Sequence, residues 1–132
     1  MSEERKRELT SHKVNGLNDA LDIAVLDEPG PGNACRRYVV YHPNDAYNQD
    51  LNAAVRCEVI FQNGPILEAG VNGVSNEALL AIVEDRLRGF QSGPYSCREN
   101  SLALTQLQEA IHWLHHRTRE RVARNVEGTM TV

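Results

Sequence analysis

The stretch from Gly70 to Thr129 constrains the chain most, because it holds two helical periodicities separated by a stop too short for any other element. Leu79, Val83, Leu87 and Phe90 recur at spacings of four, four and three, which is one face of a helix. Ser75 stands where an N-cap is needed, with Glu77 in the first turn, where it complements the helix dipole. Gly89 weakens the far end and Gly93-Pro94 stops it, since proline disfavours a helical residue before it and cannot continue the ladder. Ser96 and Glu99 then form a capping-box pattern that predicts a second helix. Leu104, Leu107, Ile111 and Leu114 give that helix an apolar seam at three, four and three. Joined by so short a link, the two helices must be antiparallel neighbours.

Upstream the period changes from helical to alternating. Leu21, Ile23 and Val25 alternate with Asp22 and Ala24, Arg36 to His42 (RRYVVYH) is rich in β-favouring residues, and Ala54 to Gln62 (AVRCEVIFQ) alternates again. In that last run Val55, Cys57, Val59 and Phe61 are expected on one face, with Arg56, Glu58 and Gln62 on the other. No helix-length pattern separates these strands, which predicts an antiparallel meander rather than a parallel sheet. Asp27 to Gly32 (DEPGPG) reads as a turn; a glycine-rich phosphate loop would need a basic residue and a helix start that do not follow. Pro43 to Asn52 is polar and turn-rich, a loop. The expected fold class is α+β: a small N-terminal antiparallel β meander, then a C-terminal antiparallel helical hairpin. At 132 residues this is one domain, with 1–15 an arm, 16–69 the meander and 70–132 the hairpin.

Charge and composition exclude several classes. A net charge of -4 argues against a general nucleic-acid binder. No apolar run approaches a membrane span and the charged N-terminus lacks a signal-peptide core, so the chain is expected to stay in the cytoplasm where it is made. Cys35, Cys57 and Cys97 cannot all pair and lack zinc-ribbon spacing; reduced, buried thiols are expected. His112 and His116 share a helical face, but no HExxH or carboxylate set accompanies them, and no metal site is predicted. No serine or cysteine stands in a recognisable nucleophile motif.

FQSGPYSCREN, NSLALTQLQEAIHWLHHRTRERV and the closing NVEGT resemble the hairpin domain of phage proteins that sequester immune signalling nucleotides. The chain is most similar to the phage anti-Thoeris sponge family, which captures cyclic ADP-ribose isomers; the phage anti-CBASS sponge, which binds cyclic oligonucleotides, has a similar hairpin. LTSHKVNGLNDA, DEPGPGNAC and FQNGPI extend the resemblance upstream. It implies a non-enzymatic protein without cofactor that binds cyclic ADP-ribose isomers or other cyclic nucleotides, forms a homo-oligomer (a dimer or larger), and acts in the cytoplasm of the infected bacterial host. A phage enzyme that cleaves the same signal, or a small structural or DNA-associated phage protein, are the alternatives.

The residue types suit the implied ligand. A cyclic nucleotide offers a flat base, ribose hydroxyls and phosphates, which call for an aromatic face, an amide and guanidinium forks. By the FQ match the resemblance implies a ligand contact at Phe90, by the CREN match at Asn100, and in HHRTRER a phosphate contact at Arg117. Arg98, Arg121 and Arg124 are further candidates, Arg119 a weaker one, and Tyr95 a second stacking surface. Each has an ordinary reading beside it. Phe90 and Tyr95 could serve packing, Asn100 could bond local backbone, and the arginine run could be a solvated helix end. Leu102, Ala103 and Trp113 lie off the seam of the second helix, leaving more apolar surface than one partner helix covers.

Overall fold

The computed structural model describes residues 7–43 and 54–132. Most of the expected loop from Pro43 to Asn52 and the first six residues of the expected arm lie outside the described residues. The fold is α+β, and the chain divides into two compact units, Met1–Asn63 and Gly64–Val132.

In the first unit, β1 (Arg7–Leu9), β2 (Asp22–Val25), β3 (Arg37–Tyr41) and β4 (Val55–Ile60) form an antiparallel sheet in the order β1-β2-β3-β4. The meander is thus as the alternation predicts, with one strand more. Arg7–Leu9, read from sequence as arm, pair with Val25, Ala24 and Ile23. Three residues are too few to show a period, so this edge strand was invisible to pattern. A one-turn helix α1 (Gly16–Ala20), equally short, precedes β2. His12 Nε2 meets the Leu21 carbonyl at 2.7 Å, and Lys13 Nζ donates to Asp22 at 2.7 Å and to the Asp19 carbonyl at 2.9 Å, so side chains tie this segment to the strand it enters.

The core of this unit is Ala24, Leu26, Val39 and Tyr41, with Val55 packed against them. Cross-strand neighbours supply it: Ala24 stands opposite Val39. Val55 reaches this face through an irregularity in the ladder. Val40 pairs with Cys57 but Tyr41 with Val55, so Arg56 is the extra residue of a bulge. The simple alternation that grouped Val55 with Cys57 and Val59 is therefore broken, because one extra residue reverses the facing of everything beyond it. Cys57 lies on the opposite face of an edge strand and is exposed, as is Cys97; only Cys35 is buried as expected. Tyr38 and Phe61 meet edge to face at 5.6 Å across β3 and the end of β4.

The turn between β2 and β3 is closed by Asp27, whose carboxylate accepts the amides of Arg36 at 3.0 Å and Arg37 at 3.1 Å. Gly32 and Asn33 follow each other at positive φ, 74° and 66°, the left-handed conformation that glycine and asparagine tolerate best. Two amides that could have cradled an anion are thus occupied by the chain's own carboxylate, which fits a turn rather than a phosphate loop.

The second unit begins with the one-turn helix α2 (Ile66–Ala69) and continues into α3 (Asn76–Gln91) and α4 (Arg98–Ala123). The hairpin stands as predicted. Ser75 caps α3, its hydroxyl accepting the Ala78 amide at 3.1 Å. The α4 seam is half-buried at Leu104, Leu107, Ile111 and Leu114 and extends to Asn100, Thr118 and Arg121. On α3 the half-buried stripe runs through Leu80, Glu84, Leu87 and Gln91, flanked by Leu79 and Phe90; Val83 is 49% exposed and outside it. Among the described residues of the hairpin helices no apolar side chain is fully buried, while Ile82, Leu102, Trp113 and Val122 stand exposed.

The start of α4 differs from the capping-box reading. The N-cap is Cys97, in extended conformation, and its sulfur accepts the Asn100 amide at 3.4 Å. The cause lies across the turn, where the Gln91 carboxamide bonds both the N–H and the C=O of Cys97 and holds it extended. With the cap at Cys97, Glu99 falls one position short of the third helical residue that a capping box requires.

α4 ends in a Schellman motif. Asn125, at φ 64°, sends its amide to Val122 O, and the Val126 amide reaches back to Arg121 O, both at 3.0 Å. Arg121 then organises the segment beyond. Its Nη2 donates to the carbonyls of Val126 and Thr129 at 3.0 Å each, its Nη1 to that of Thr131, and its Nε to Glu127 at 3.2 Å. Gly128, at φ 82°, accepts the Leu67 amide at 3.2 Å and passes so close that a Cβ there would lie 2.8 Å from Leu67 Cγ. The closing segment is thereby folded back onto α2.

Candidate functional site

Of the residues singled out from sequence, Phe90, Tyr95, Arg98 and Asn100 come together at the α3–α4 turn. Phe90 is half-buried in the last turn of α3, where the stripe that packs against α4 runs out. Tyr95, 72% exposed, meets it edge to face with ring centroids 6.2 Å apart. Asn100, in the first turn of α4, is half-buried, and its Nδ2 stands 3.5 Å from the Tyr95 carbonyl, a long contact that uses one of the carboxamide's two donors. Arg98 is exposed on the same turn and has no ion-pair partner among the described residues. An aromatic pair, an amide and a guanidinium thus share one end of the hairpin, above the positive pole of α4.

Gln91 builds this arrangement and carried no signal in the sequence reading. Its Nε2 donates to Cys97 O at 3.2 Å and its Oε1 accepts the Cys97 N–H at 3.1 Å. Further bonds close the loop: the Ser92 hydroxyl to Gly89 O at 2.8 Å and the Ser96 amide to Gly93 O at 3.4 Å. Arg86, also passed over, places its guanidinium carbon 4.9 Å from the Phe90 ring centroid. Its signal was available, because residues four apart on a helix are neighbours.

The remaining arginines lie elsewhere. Arg117 is exposed near the other end of α4, without an ion-pair partner among the described residues. At ~1.5 Å of rise per residue, it stands roughly 25 Å along the helix from Asn100. Arg124 pairs with Glu120 at 3.7 Å and donates to Val132 O at 2.9 Å. Arg121 is 6% exposed and its guanidinium is engaged as the hub of the closing segment, unlike the exposed Arg98 and Arg117. Its helical position next to the others concealed that difference, which depends on where the chain turns after Arg124.

The rings of His112 and His116 both meet Trp113 steeply inclined, with centroids 5.3 and 5.7 Å away. Among the described residues no group of three histidines, cysteines or carboxylates is placed to hold a metal ion, and no helix is long and apolar enough to cross a membrane.

Comparison with known proteins bears on the same residues. The family model described as "Acb2/Tad1, hairpin domain" matches residues 53–119, just over half of the chain. That span takes in β4, α2, α3 and most of α4, hence Arg86, Phe90, Gln91, Arg98, Asn100 and Arg117; Arg121, Arg124 and the closing segment lie beyond it. A protein named "Thoeris anti-defense 1" from Bacillus phage SBSphiJ7 is 55% identical over 71 residues, covering 54% of this chain and 50% of that protein. The chain thus spans about half the length of that relative. With the helical hairpin in place and matched over all of α3 and most of α4, the chain belongs to the Acb2/Tad1 hairpin-domain family.

Proposed function

We propose that this chain is a non-enzymatic phage anti-defence protein, a sponge that binds a cyclic ADP-ribose-type signal in the cytoplasm of the infected bacterium and keeps it from its effector. The observation that carries the proposal is the grouping of Phe90, Tyr95, Arg98 and Asn100 on one turn inside the span matched by the family. Stacking surface, hydrogen-bonding amide and cation are the three parts a nucleotide needs.

The phosphate side of the ligand is assigned to Arg117, and the roughly 25 Å of helix between it and Asn100 gives that assignment a consequence. One chain cannot bring both to one small molecule, so a site that uses both takes Phe90 and Asn100 from one protomer and Arg117 from another. The exposed Ile82, Leu102, Trp113 and Val122 supply apolar surface for such a homo-oligomer, because a monomer seldom leaves so much of a helical pair uncovered.

The test is calorimetric titration with cyclic ADP-ribose, followed by heat denaturation and mass analysis of the released ligand. Saturable binding with the ligand recovered intact is the expected result. Products accumulating with time would identify an enzyme instead. An absence of binding to cyclic ADP-ribose and to a panel of other cyclic nucleotides would overturn the proposal.

A further inference from the structure

Phe90 does not present a bare ring. Four residues earlier on α3, Arg86 projects over it, with Cζ 4.9 Å from the ring centroid. The attraction is electrostatic: the guanidinium sits against the negative face of the π system. A guanidinium carries five N–H donors spread around its rim, more than contact with one ring engages. The position over the ring therefore orders the long side chain while leaving donors for an acceptor beside the ring.

The surrounding charges sharpen the point. Arg88, two residues on, is paired with Glu84 at 3.4 Å in the usual helical i, i+4 manner. Arg86 has no carboxylate partner among the described residues. Of the two arginines near the end of α3, one is matched by its own helix and the other is held over an aromatic ring with its charge unneutralised. A cation in that state, over one ring of an aromatic pair, is suited to an anion attached to a flat group. A nucleotide has that form, its first phosphate lying one sugar away from the base.

We infer that Arg86 is a phosphate-contacting residue of the hairpin-turn site, so that the turn of a single chain supplies both the stacking surface and a first guanidinium for a nucleotide phosphate. This rests on reading the turn as a nucleotide site. It adds to that reading an assignment within one protomer, separate from Arg117 at the far end of α4. A ligand with two linked phosphates then meets Arg86 from the chain that holds its base and Arg117 from the neighbouring one.

The experiment compares the parent chain with Arg86→Met and Arg86→Lys by calorimetric titration of cyclic ADP-ribose at low and at high salt. Methionine keeps an unbranched apolar cover over Phe90 but removes charge and donors; lysine keeps the charge without the fork. For Arg86→Met the expected result is an affinity loss of about tenfold or more together with a flatter dependence on salt, since charge-assisted bonds to phosphate are strong and screened by ions. Arg86→Lys is expected between the two, with the salt dependence kept. Unchanged affinity in Arg86→Met overturns the inference, and so does a loss with the parent's salt dependence, because packing against Phe90 would then be the whole role. If the parent binds and Phe90→Ala weakens binding while Arg86→Met does not, the inference fails and the site reading stands. If the parent binds no nucleotide, both fail.

Discussion

The side-chain amide of Gln91 is bonded to both backbone groups of Cys97, donating to its carbonyl at 3.2 Å and accepting its N–H at 3.1 Å. One carboxamide thus does for the hairpin turn what a pair of strand hydrogen bonds does for a β-turn. It fixes the residue that caps α4, and with it the directions of Tyr95 and Asn100.

Replacing Gln91 by alanine is expected to cost about 1–2 kcal/mol of stability, two hydrogen bonds at a partly solvated position. Chemical denaturation measures the loss. Faster hydrogen exchange at the Cys97 amide should accompany it, and ligand affinity should fall although Gln91 need not touch the ligand. Gln91→Glu keeps the acceptor for the Cys97 N–H, loses the donor to its carbonyl, and should fall between the two.

At the site itself, Phe90→Ala removes a stacking face worth roughly 1–3 kcal/mol, a tenfold to hundredfold loss of affinity. Asn100→Ala should cost about 1–3 kcal/mol if it leaves a buried ligand group unpaired. Arg117→Ala should cost more, roughly 2–5 kcal/mol, because a phosphate oxygen loses a charged partner in an enclosed site. Titration calorimetry on the three variants measures these effects, with melting temperatures checked first, since Phe90 is half-buried. Three folded variants that bind as the parent does would move the site elsewhere.

Mixing separates a shared site from a self-contained one. In a two-fold symmetric dimer, a Phe90→Ala protomer joined to an Arg117→Ala protomer has one site with both changes and one with neither. After subunit exchange at equal amounts, about a quarter of the parent's binding sites should return, read as stoichiometry in a titration. Recovery of none would place Phe90 and Arg117 in separate sites or in unshared ones.

Arg121→Ala is expected to act on stability and leave the turn's binding nearly unchanged. The carbonyls of Val126 and Thr129 and the Glu127 carboxylate lose their partner, and about 2–3 kcal/mol should follow, discounted for the partly exposed Glu127. Lysine should not restore it, because a single ammonium cannot fork between two carbonyls and a carboxylate. Denaturant melts and limited proteolysis of the segment after Asn125 check this; an unchanged melt with weakened binding would return Arg121 to the ligand set.

The long elements were legible in the sequence because their signals repeat. Leu104, Leu107, Ile111 and Leu114 state one face four times, and the α4 seam is where they place it. Arg7–Leu9, Gly16–Ala20 and Ile66–Ala69 are each shorter than two periods of their own element's repeat, so nothing in them repeats. Single-residue events were equally hidden. The bulge at Arg56 reverses Val55, and the Gln91 clamp shifts a helix cap from Ser96 to Cys97; both depend on partners remote from the local pattern. In the candidate site, Phe90, Tyr95, Arg98 and Asn100 were legible because they are close in sequence on one turn. Arg121 was not separable from Arg117 and Arg124, because its engagement follows from the path of the chain after the Schellman motif.

The chain contains one tryptophan, and it is Trp113, 58% exposed on α4 and in edge contact with two imidazoles. All indole emission from this protein therefore originates at a single place on the helix surface. A second chain settling over that place would move the emission to shorter wavelength and shield it from a soluble quencher. The molecule carries its own optical gauge of whether that side of α4 is wet or covered, with no label attached.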